Sequence, residues 1–359
     1  MAITTVERFC AHRSRIQSRA KASRRIFRAL AALIIGASST PNKAFIRTGR
    51  PVSKQVAILL CTYQGQQYLA EQLDSYSRQS YAHWDLWVSD DGSKDGTRPI
   101  LQSYNERWGD AHRVAVFDGP KRGFAANFLS LLCRPTIQGD YFSFSDQDDI
   151  WDPEKIERAV QWLDTVPADI PALYCSRTRL VDEIDTEIGL SPLFQRPPNF
   201  KNALVQNIAG GNTMVFNRAA RALLLKAGPT VDVVAHDWWV YQVISACGGA
   251  LHYDARPALR YRQHGGNLIG SNNGLGARLR RVSMLFEGHL KDWNERNIRA
   301  LGLLQSDMSN EARDTFVRFS EARRGSALGR VYGVRSSGVY RQTALGNIGL
   351  LAAALFNKI

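Results

Sequence analysis

Cysteine is scarce in this 359-residue chain, and its spacing excludes two kinds of small cross-linked fold. The five cysteines form no Cys-x-x-Cys pair and no Cys/His cluster. They therefore argue against a structural zinc site and against a disulfide framework. Sparse cysteine is typical of a reducing compartment, so we expect the protein to be cytoplasmic.

Long apolar runs are also absent. The longest, residues 29–37 and 348–356, fall well short of the roughly 18–20 residues that a membrane-spanning helix needs. A secretion signal is disfavoured because 28 residues, many of them basic, precede the first run. The hydrophobic fraction of 44% and the charged fraction of 22% instead indicate an ordinary globular chain.

Positive charge is concentrated at both ends of the chain, whereas the middle is acidic. Residues 1–54 carry a formal net charge of +11 and residues 275–359 carry +7, against −5 for residues 55–274. A nucleic-acid enzyme usually carries its positive charge around its chemistry, so we expect no nucleic-acid partner. Basic flanks favour an anionic membrane surface, on which residues 1–54 would form an amphipathic helix if they are not disordered.

Strands and helices are predicted to alternate from residue 55 onwards. Apolar residues such as Leu69, Leu73 and Tyr76 recur at helical spacing between short apolar runs. This alternation predicts an α/β protein with a parallel, doubly wound sheet, in which ligands bind at the carboxyl ends of the strands. The four predicted strands are residues 56–60, 84–89, 113–117 and 141–145.

Acidic clusters follow two of these strands. Asp90 and Asp91 come after the second strand, and an Asp-x-Asp motif, Asp146 and Asp148, comes after the fourth. Turn and helix-capping chemistry explains either cluster taken alone. Together, however, one can contact a nucleobase or ribose while the other holds a hard divalent cation and a substrate's phosphates.

The ordered motifs resemble the nucleotide-diphospho-sugar glycosyltransferases of family 2, which have the GT-A fold. The similarity extends over residues 55–272 and is greatest to bacterial rhamnosyltransferase-type members, which build surface polysaccharides. The 54-residue basic extension before the first strand departs from that pattern. The matching segments are residues 61–65, 89–97, 145–151, 210–213, 236–239 and 261–264.

The resemblance implies a GT-A catalytic domain at 55–274, between a basic N-terminal extension at 1–54 and a basic helical region at 275–359. It implies an inverting, metal-dependent transferase that moves a sugar from dTDP-rhamnose or a UDP-hexose to a saccharide or lipid-linked acceptor. The alternative is an inactive GT-A-fold adaptor at the membrane. A sugar nucleotidyltransferase is disfavoured because no Gly-rich, basic phosphate loop follows the first strand.

The same resemblance assigns the main roles. Asp237 would be the general base, and Asp91 would accept a hydrogen bond from the nucleobase, with Thr62 and Tyr63 lining the same pocket. Asp148 would bind Mg²⁺ or Mn²⁺. Asp146 would contact the ribose or the waters of the metal ion.

Further candidates each have a structural alternative. His264 would bind the metal or the diphosphate unless it is structural, and Arg262 is a diphosphate candidate. Gly211, Asn212 and Trp238 are candidates for acceptor contact, although Trp238 equally suits a core position. The structural alternative for Asp237 is a helix N-cap. Residues 345–356 would lie in the membrane interface, pack on the core as a helical cap, or do both with different faces. Together with the basic flanks, contact with the membrane interface would place the protein peripherally on the inner face of the cytoplasmic membrane.

Overall fold

The computed structural model describes residues 53–265 and 289–359. The predicted N-terminal extension therefore lies outside the described residues, except for Ser53 and Lys54, as does the start of the predicted C-terminal region. The described residues from Ser53 to Ile359 belong to one compact unit.

The first half alternates strands and helices, as the sequence pattern predicts. The third strand is displaced by one residue from the predicted position, and the other three begin where predicted. In chain order the elements are β1 (Val56–Thr62), α1 (Leu69–Ser77), β2 (Trp84–Asp90), α2 (Thr97–Trp108), β3 (Val114–Asp118), α3 (Phe124–Leu132), β4 (Tyr141–Ser145), β5 (Ile150–Trp151) and α4 (Lys155–Leu163).

The second half adds antiparallel strands and a series of helices. These elements are β6 (Ala172–Val181), β7 (Glu187–Leu190), α5 (Phe200–Ala203), β8 (Val215–Asn217), α6 (Arg218–Ala227), α7 (His236–Ala246), β9 (Ala250–Arg262), α8 (His289–Gly302), α9 (Asn310–Ala322), α10 (Ala327–Ser337) and α11 (Ala344–Leu355).

The strands of the described residues form one mixed sheet, in the order β3-β2-β1-β4-β8-β6-β9-β5, with β7 beside β6. The half that contains β1 to β4 is parallel, which confirms the prediction. In the other half β8 is antiparallel to both β4 and β6, whereas β6 and β9 are parallel. Thr62 pairs with Asp90, and Leu60 pairs with Ser145, so β1, β2 and β4 all end at one edge of the sheet.

β1 is buried on both faces because its alternate side chains enter two hydrophobic clusters. Ile58 and Leu60 pack in the cluster that contains Leu73 of α1. Leu59 points to the opposite face and packs in the cluster that contains Phe128 of α3. Helices on both faces explain why β1 is a continuous apolar run rather than an alternating one.

The C-terminal helices pack into the same core as the sheet. Leu301 of α8, Phe319 of α9 and Leu350 of α11 belong to the cluster that also contains Trp239 of α7. One face of α11 is thus part of the core, as the helical-cap alternative predicts. Within residues 53–265 and 289–359, no helix combines the length and the hydropathy that crossing a membrane requires.

Candidate active site at the carboxyl edge of the sheet

Asp90 is a structural anchor at the end of β2. Its buried carboxylate accepts hydrogen bonds from Thr62 Oγ1 (2.9 Å) and Ser93 Oγ (2.5 Å) and pairs with Arg98 Nε (2.8 Å). Burial raises the pKa of Asp90, but the hydrogen bonds from Ser93, Arg98 and Thr62 outweigh burial and hold the pKa below its usual value. The Thr62 hydroxyl, which was predicted to line the nucleobase pocket, is thereby committed to Asp90, and Thr62 is buried.

The neighbouring Asp91 faces the turn that precedes α3. Its carboxylate accepts backbone N–H bonds from Lys121 (2.5 Å) and Gly123 (3.3 Å), and its own N–H donates to the Thr62 carbonyl (2.8 Å). The Tyr63 side chain is 61% exposed and is free to stack on a flat ligand. The structure therefore places the two residues predicted to contact the nucleobase at the ends of adjacent strands.

Gly119 lies so close to Asp91 that a side chain does not fit. A Cβ atom at Gly119 would lie 2.7 Å from Asp91 Oδ1 and 2.6 Å from Asn127 Oδ1. We expect Gly119→Ala to displace the Asp91 carboxylate and to weaken nucleotide diphosphate binding by up to about tenfold, the value of one hydrogen bond. Titration calorimetry with dTDP and UDP measures the change.

Gly302→Ala is the matched control for this prediction, because no neighbouring atom lies within 4 Å of the added methyl group. It should bind nucleotide like the wild type. Equal affinity in the Gly119 and Gly302 variants, with both folded by circular dichroism, would show that Asp91 does not bind the nucleotide.

Gln147, the central residue of the Asp-x-Asp motif, joins two loops of the site. Its side-chain amide accepts a hydrogen bond from the Tyr63 N–H (2.8 Å) and donates to the Tyr63 carbonyl (3.0 Å). Gly65 makes room for it, since a Cβ there would lie 2.4 Å from Gln147 Oε1. Sequence reasoning missed Gln147, because the middle position of such a motif carries no chemical signal of its own.

The acidic motif concentrates buried negative charge. Burial, followed by the charges of Asp148 and Asp237, raises the pKa of Asp146. Burial and the charges of Asp148 and Asp146 likewise raise the pKa of Asp149, which accepts a hydrogen bond from Asn212 Nδ2 (2.7 Å). Carboxylates crowded in this way favour a bound cation, because a cation offsets their mutual repulsion.

Asp148 contacts two residues that the sequence analysis singled out, namely Arg262 at the end of β9 and His264 just after it. Its Oδ2 is 2.8 Å from His264 Nε2. The buried guanidinium of Arg262 donates to the carbonyl oxygens of Asp148 (3.2 Å) and Glu183 (2.7 Å) and to the carboxylate of Glu71 (2.6 Å). The sequence analysis predicted that Arg262 contacts a diphosphate. With its nitrogens committed in this way, Arg262 is better suited to positioning the Asp148 loop.

The donor set fits a hard divalent cation that is shared with a substrate. In the described parts of the chain, no three His, Cys, Asp or Glu side chains are grouped so as to hold a metal ion alone. Asp148 and His264 nevertheless offer one oxygen and one nitrogen donor at hydrogen-bonding distance from each other. Mg²⁺ is commonly bound by only one or two protein ligands together with substrate phosphates.

Asp237 is the second residue of α7, and Ala235 occupies the cap position. The N-cap alternative is therefore wrong. Asp237 Oδ2 accepts a hydrogen bond from the Gly211 N–H (3.2 Å), and Oδ1 accepts one from the Trp238 N–H (2.6 Å). Burial raises the pKa of Asp237 to about 6 in spite of these bonds. A carboxyl group with such a pKa is ionised at neutral pH and is a stronger base than an exposed aspartate.

Two of the three predicted acceptor residues are committed elsewhere. Trp238 is 6% exposed and its indole N–H donates to the Ala203 carbonyl (2.6 Å), so the predicted acceptor contact is replaced by core packing. Asn212 is equally buried and holds Asp149. Gly211 is close to the site, since a Cβ there would lie 3.3 Å from the Cβ of Asp237.

His236, which precedes the predicted general base, was not among the predicted site residues. Its ring stacks on Phe128 at 3.8 Å between centroids and meets Phe144 edge-on. Burial lowers the pKa of His236 to about 3, so the imidazole is neutral. Its position directly before Asp237 makes it part of the packing that fixes the start of α7.

Comparison with known proteins agrees with this geometry. Residues 57–224 match the family model described as "Glycosyl transferase family 2". The dTDP-rhamnosyl transferase RfbG of Shigella flexneri is 26% identical over 239 residues, which are 63% of this chain and 78% of that protein. An uncharacterised glycosyltransferase of Rickettsia typhi, RT0329, is 30% identical over 131 residues, which are 36% of this chain and 38% of that protein.

The fold is also found among solved structures. The structure of S. aureus TarS 1–349 superposes with a TM-score of 0.52 at 14% identity, covering 85% of this chain and 89% of that one. Its complex with UDP gives the same TM-score. The family model and the fold agree, and residues 57–224 form a family 2 glycosyltransferase domain with the GT-A fold.

Proposed function

We propose that this protein is an inverting, metal-dependent glycosyltransferase of bacterial surface polysaccharide synthesis, with dTDP-rhamnose or a UDP-hexose as donor. The acceptor is a saccharide or a lipid-linked saccharide. One observation carries the proposal: Asp91, the Asp146–Asp148 motif and Asp237 come from separate elements of the chain and meet at one edge of the sheet. The name of the Shigella relative, a dTDP-rhamnosyl transferase, supports a dTDP-linked sugar as the donor.

The donor half of the site lies between the ends of β1, β2 and β4. The exposed Tyr63 ring would stack on the nucleobase, and the Asp91 carboxylate would accept its ring N–H. Asp148 and His264 would hold Mg²⁺ or Mn²⁺, with Asp146 at the ribose or at the waters of the ion. When bound, such a cation neutralises the charge that develops on the diphosphate leaving group.

The acceptor half centres on Asp237. The acceptor hydroxyl oxygen forms a bond to the anomeric carbon while the bond from that carbon to the diphosphate oxygen breaks. The nucleoside diphosphate leaves with the bonding electron pair, and Asp237 takes the hydroxyl proton. Gly211 and Trp238 keep the carboxylate oriented through their backbone N–H groups. A single displacement without a covalent nucleophile inverts the anomeric configuration, by the same stereochemical argument that applies to inverting glycosidases.

A donor panel tests the proposal. Purified protein with Mn²⁺ is incubated with dTDP-rhamnose, UDP-glucose, UDP-galactose and UDP-N-acetylglucosamine, and release of the nucleoside diphosphate is followed. One donor is expected to react, and its nucleoside diphosphate with Mn²⁺ is expected to raise the melting temperature. Thermal stabilisation by nucleotide without turnover on any donor and saccharide acceptor would instead identify an inactive GT-A-fold adaptor.

We place the protein in the cytoplasm, peripherally on the inner face of the membrane, where lipid-linked acceptors are presented. The support is the charge distribution, with net charges of +11 for residues 1–54 and +7 for residues 275–359 on either side of an acidic middle. The anionic cytoplasmic leaflet attracts such segments by about 1 kcal/mol for each nearby Lys or Arg.

A further inference from the structure

The last two helices of the chain carry large apolar side chains that the described structure leaves uncovered. We call this set the C-terminal apolar surface. Each of its members is more than half exposed. They are Leu328 and Tyr332 of α10 and Leu345 and Ile348 of α11.

The spacing of these residues forms a stripe on each helix. Leu328 and Tyr332 are four residues apart and share one face of α10. Leu345 and Ile348 are three residues apart and share one face of α11, whereas Leu350, on the opposite side, is buried in the core. The core packing of α11 therefore uses only one of its faces, and the second apolar face needs another partner.

The charge of this region has a single sign. Residues 322–359 contain no Asp or Glu side chain but six Arg or Lys residues. Arg324 and Arg335 are exposed. Arg330 instead fastens the two helices together, since its guanidinium donates to the carbonyl oxygens of Ala354 (2.7 Å) and Leu355 (3.1 Å).

A basic cavity of about 310 Å³ adjoins the apolar surface. It lies between α8, the end of α9, the segment after α11 and the start of α10, the helix that carries Leu328 and Tyr332. Its lining contains four cations and one carboxylate side chain, Glu295, which is paired with Arg323 (3.1 Å). The other three cations are Lys291, Arg324 and Arg330. Positive charge and exposed apolar area are thus adjacent.

We propose that the C-terminal apolar surface docks on an anionic phospholipid bilayer, with its side chains among the acyl chains and the surrounding cations at the headgroup phosphates. This combination of charge and apolar area is that of an interfacial helix. A second copy of the chain would bring like charges together, and nucleic acid would leave the apolar side chains exposed. The inference gives the proposed membrane association a defined surface, and its test does not depend on transferase activity.

Flotation of the full chain with vesicles tests this surface. Vesicles of phosphatidylcholine alone and with phosphatidylglycerol are compared at low and high salt. The double variant Leu345→Ser, Ile348→Ser is expected to lose at least about tenfold in partitioning onto the anionic vesicles, since each large apolar side chain contributes substantially when buried. The variant Arg324→Gln, Arg335→Gln is expected to weaken binding and to reduce its dependence on salt.

The matched control replaces two other exposed isoleucines, Ile184 and Ile188, near the turn between β6 and β7, by serine. This variant should float like the wild type. Equal recovery of the wild type with neutral and anionic vesicles, or loss of binding in the control but not in the α11 variant, would overturn the proposal. Concentration-dependent dimerisation that the α11 variant abolishes would identify a second copy as the occupant and would also overturn it.

The assay separates failure of this surface from failure of the proposed function. Nucleotide release from the donor in vesicle-free solution should be unchanged in all three variants, because none of the substituted residues belongs to the carboxyl-edge site. Melting temperatures identify a variant that does not fold. The arginine variant changes only exposed side chains and should fold. If the α11 variant is unstable, unchanged vesicle binding by the arginine variant would still contradict the proposal.

Discussion

Replacement of Asp237 by asparagine is expected to lower turnover by about two to four decades, the usual contribution of a positioned general base. The change preserves the shape of the side chain, although the single amide oxygen can accept from only one of the Gly211 and Trp238 N–H groups, which donate to different oxygens of the aspartate. Donor affinity should be nearly unchanged, because Asp237 is not among the residues proposed to hold the donor. Steady-state rates of nucleoside diphosphate release at saturating donor and acceptor, with calorimetric donor binding, measure the two quantities separately.

The pH profile gives an independent check on Asp237. Because burial raises its pKa to about 6, wild-type turnover should fall as the pH is lowered through about 6, where the protonated carboxyl can no longer accept a proton. The residual activity of the asparagine variant should lack this acidic limb. A variant that loses donor binding but keeps its turnover at saturation would make Asp237 a binding residue and place the general base elsewhere.

Replacement of Asp148 by alanine is expected to abolish transfer and to remove the metal dependence of nucleotide binding. Asp148 is the carboxylate that faces His264 at 2.8 Å, and alanine leaves the imidazole as the only protein donor of the pair. Binding of dTDP or UDP with and without Mn²⁺, measured by calorimetry, reports the loss directly. Nucleotide affinity should then be the same at all Mn²⁺ concentrations.

Asp169→Ala is the control for this prediction, because Asp169 is an exposed aspartate in the loop between α4 and β6. It should retain both transfer and metal dependence. If the Asp148 variant still bound nucleotide more tightly with Mn²⁺, by the same factor as the wild type, the metal ligand would have to be another residue.

The parallel half of the fold could be predicted because its signals are local. Each of its strands is a short apolar run that ends in a turn, and the helices between them repeat at their own period. The acidic residues that end β2 and β4 were assigned to one edge for the same reason, since parallel strands place their carboxyl ends together. The family resemblance then added Asp237, whose position depends on the later part of the chain.

The strand pairing in the other half of the sheet could not be predicted, because it joins segments that are distant in the sequence. β6 pairs with β9, about 78 residues further along the chain, as in the pair of Ala172 with Ala250. No local pattern encodes that choice. The roles of Arg262 and Trp238 could not be predicted from local sequence either, because they depend on tertiary packing. Arg262 donates to backbone carbonyls, and Trp238 packs in the core.

The Gln147 bridge would make nucleobase binding and cation binding at the proposed donor site thermodynamically dependent on each other. Its amide holds both backbone groups of Tyr63, while its neighbours Asp146 and Asp148 belong to the motif that would hold the cation. Any displacement of one loop on ligand binding is therefore transmitted to the other. Linkage requires the effect to be reciprocal: the factor by which the nucleobase changes cation affinity equals the factor by which the cation changes nucleobase affinity. Cooperative uptake of the two would keep the site from filling with either one alone.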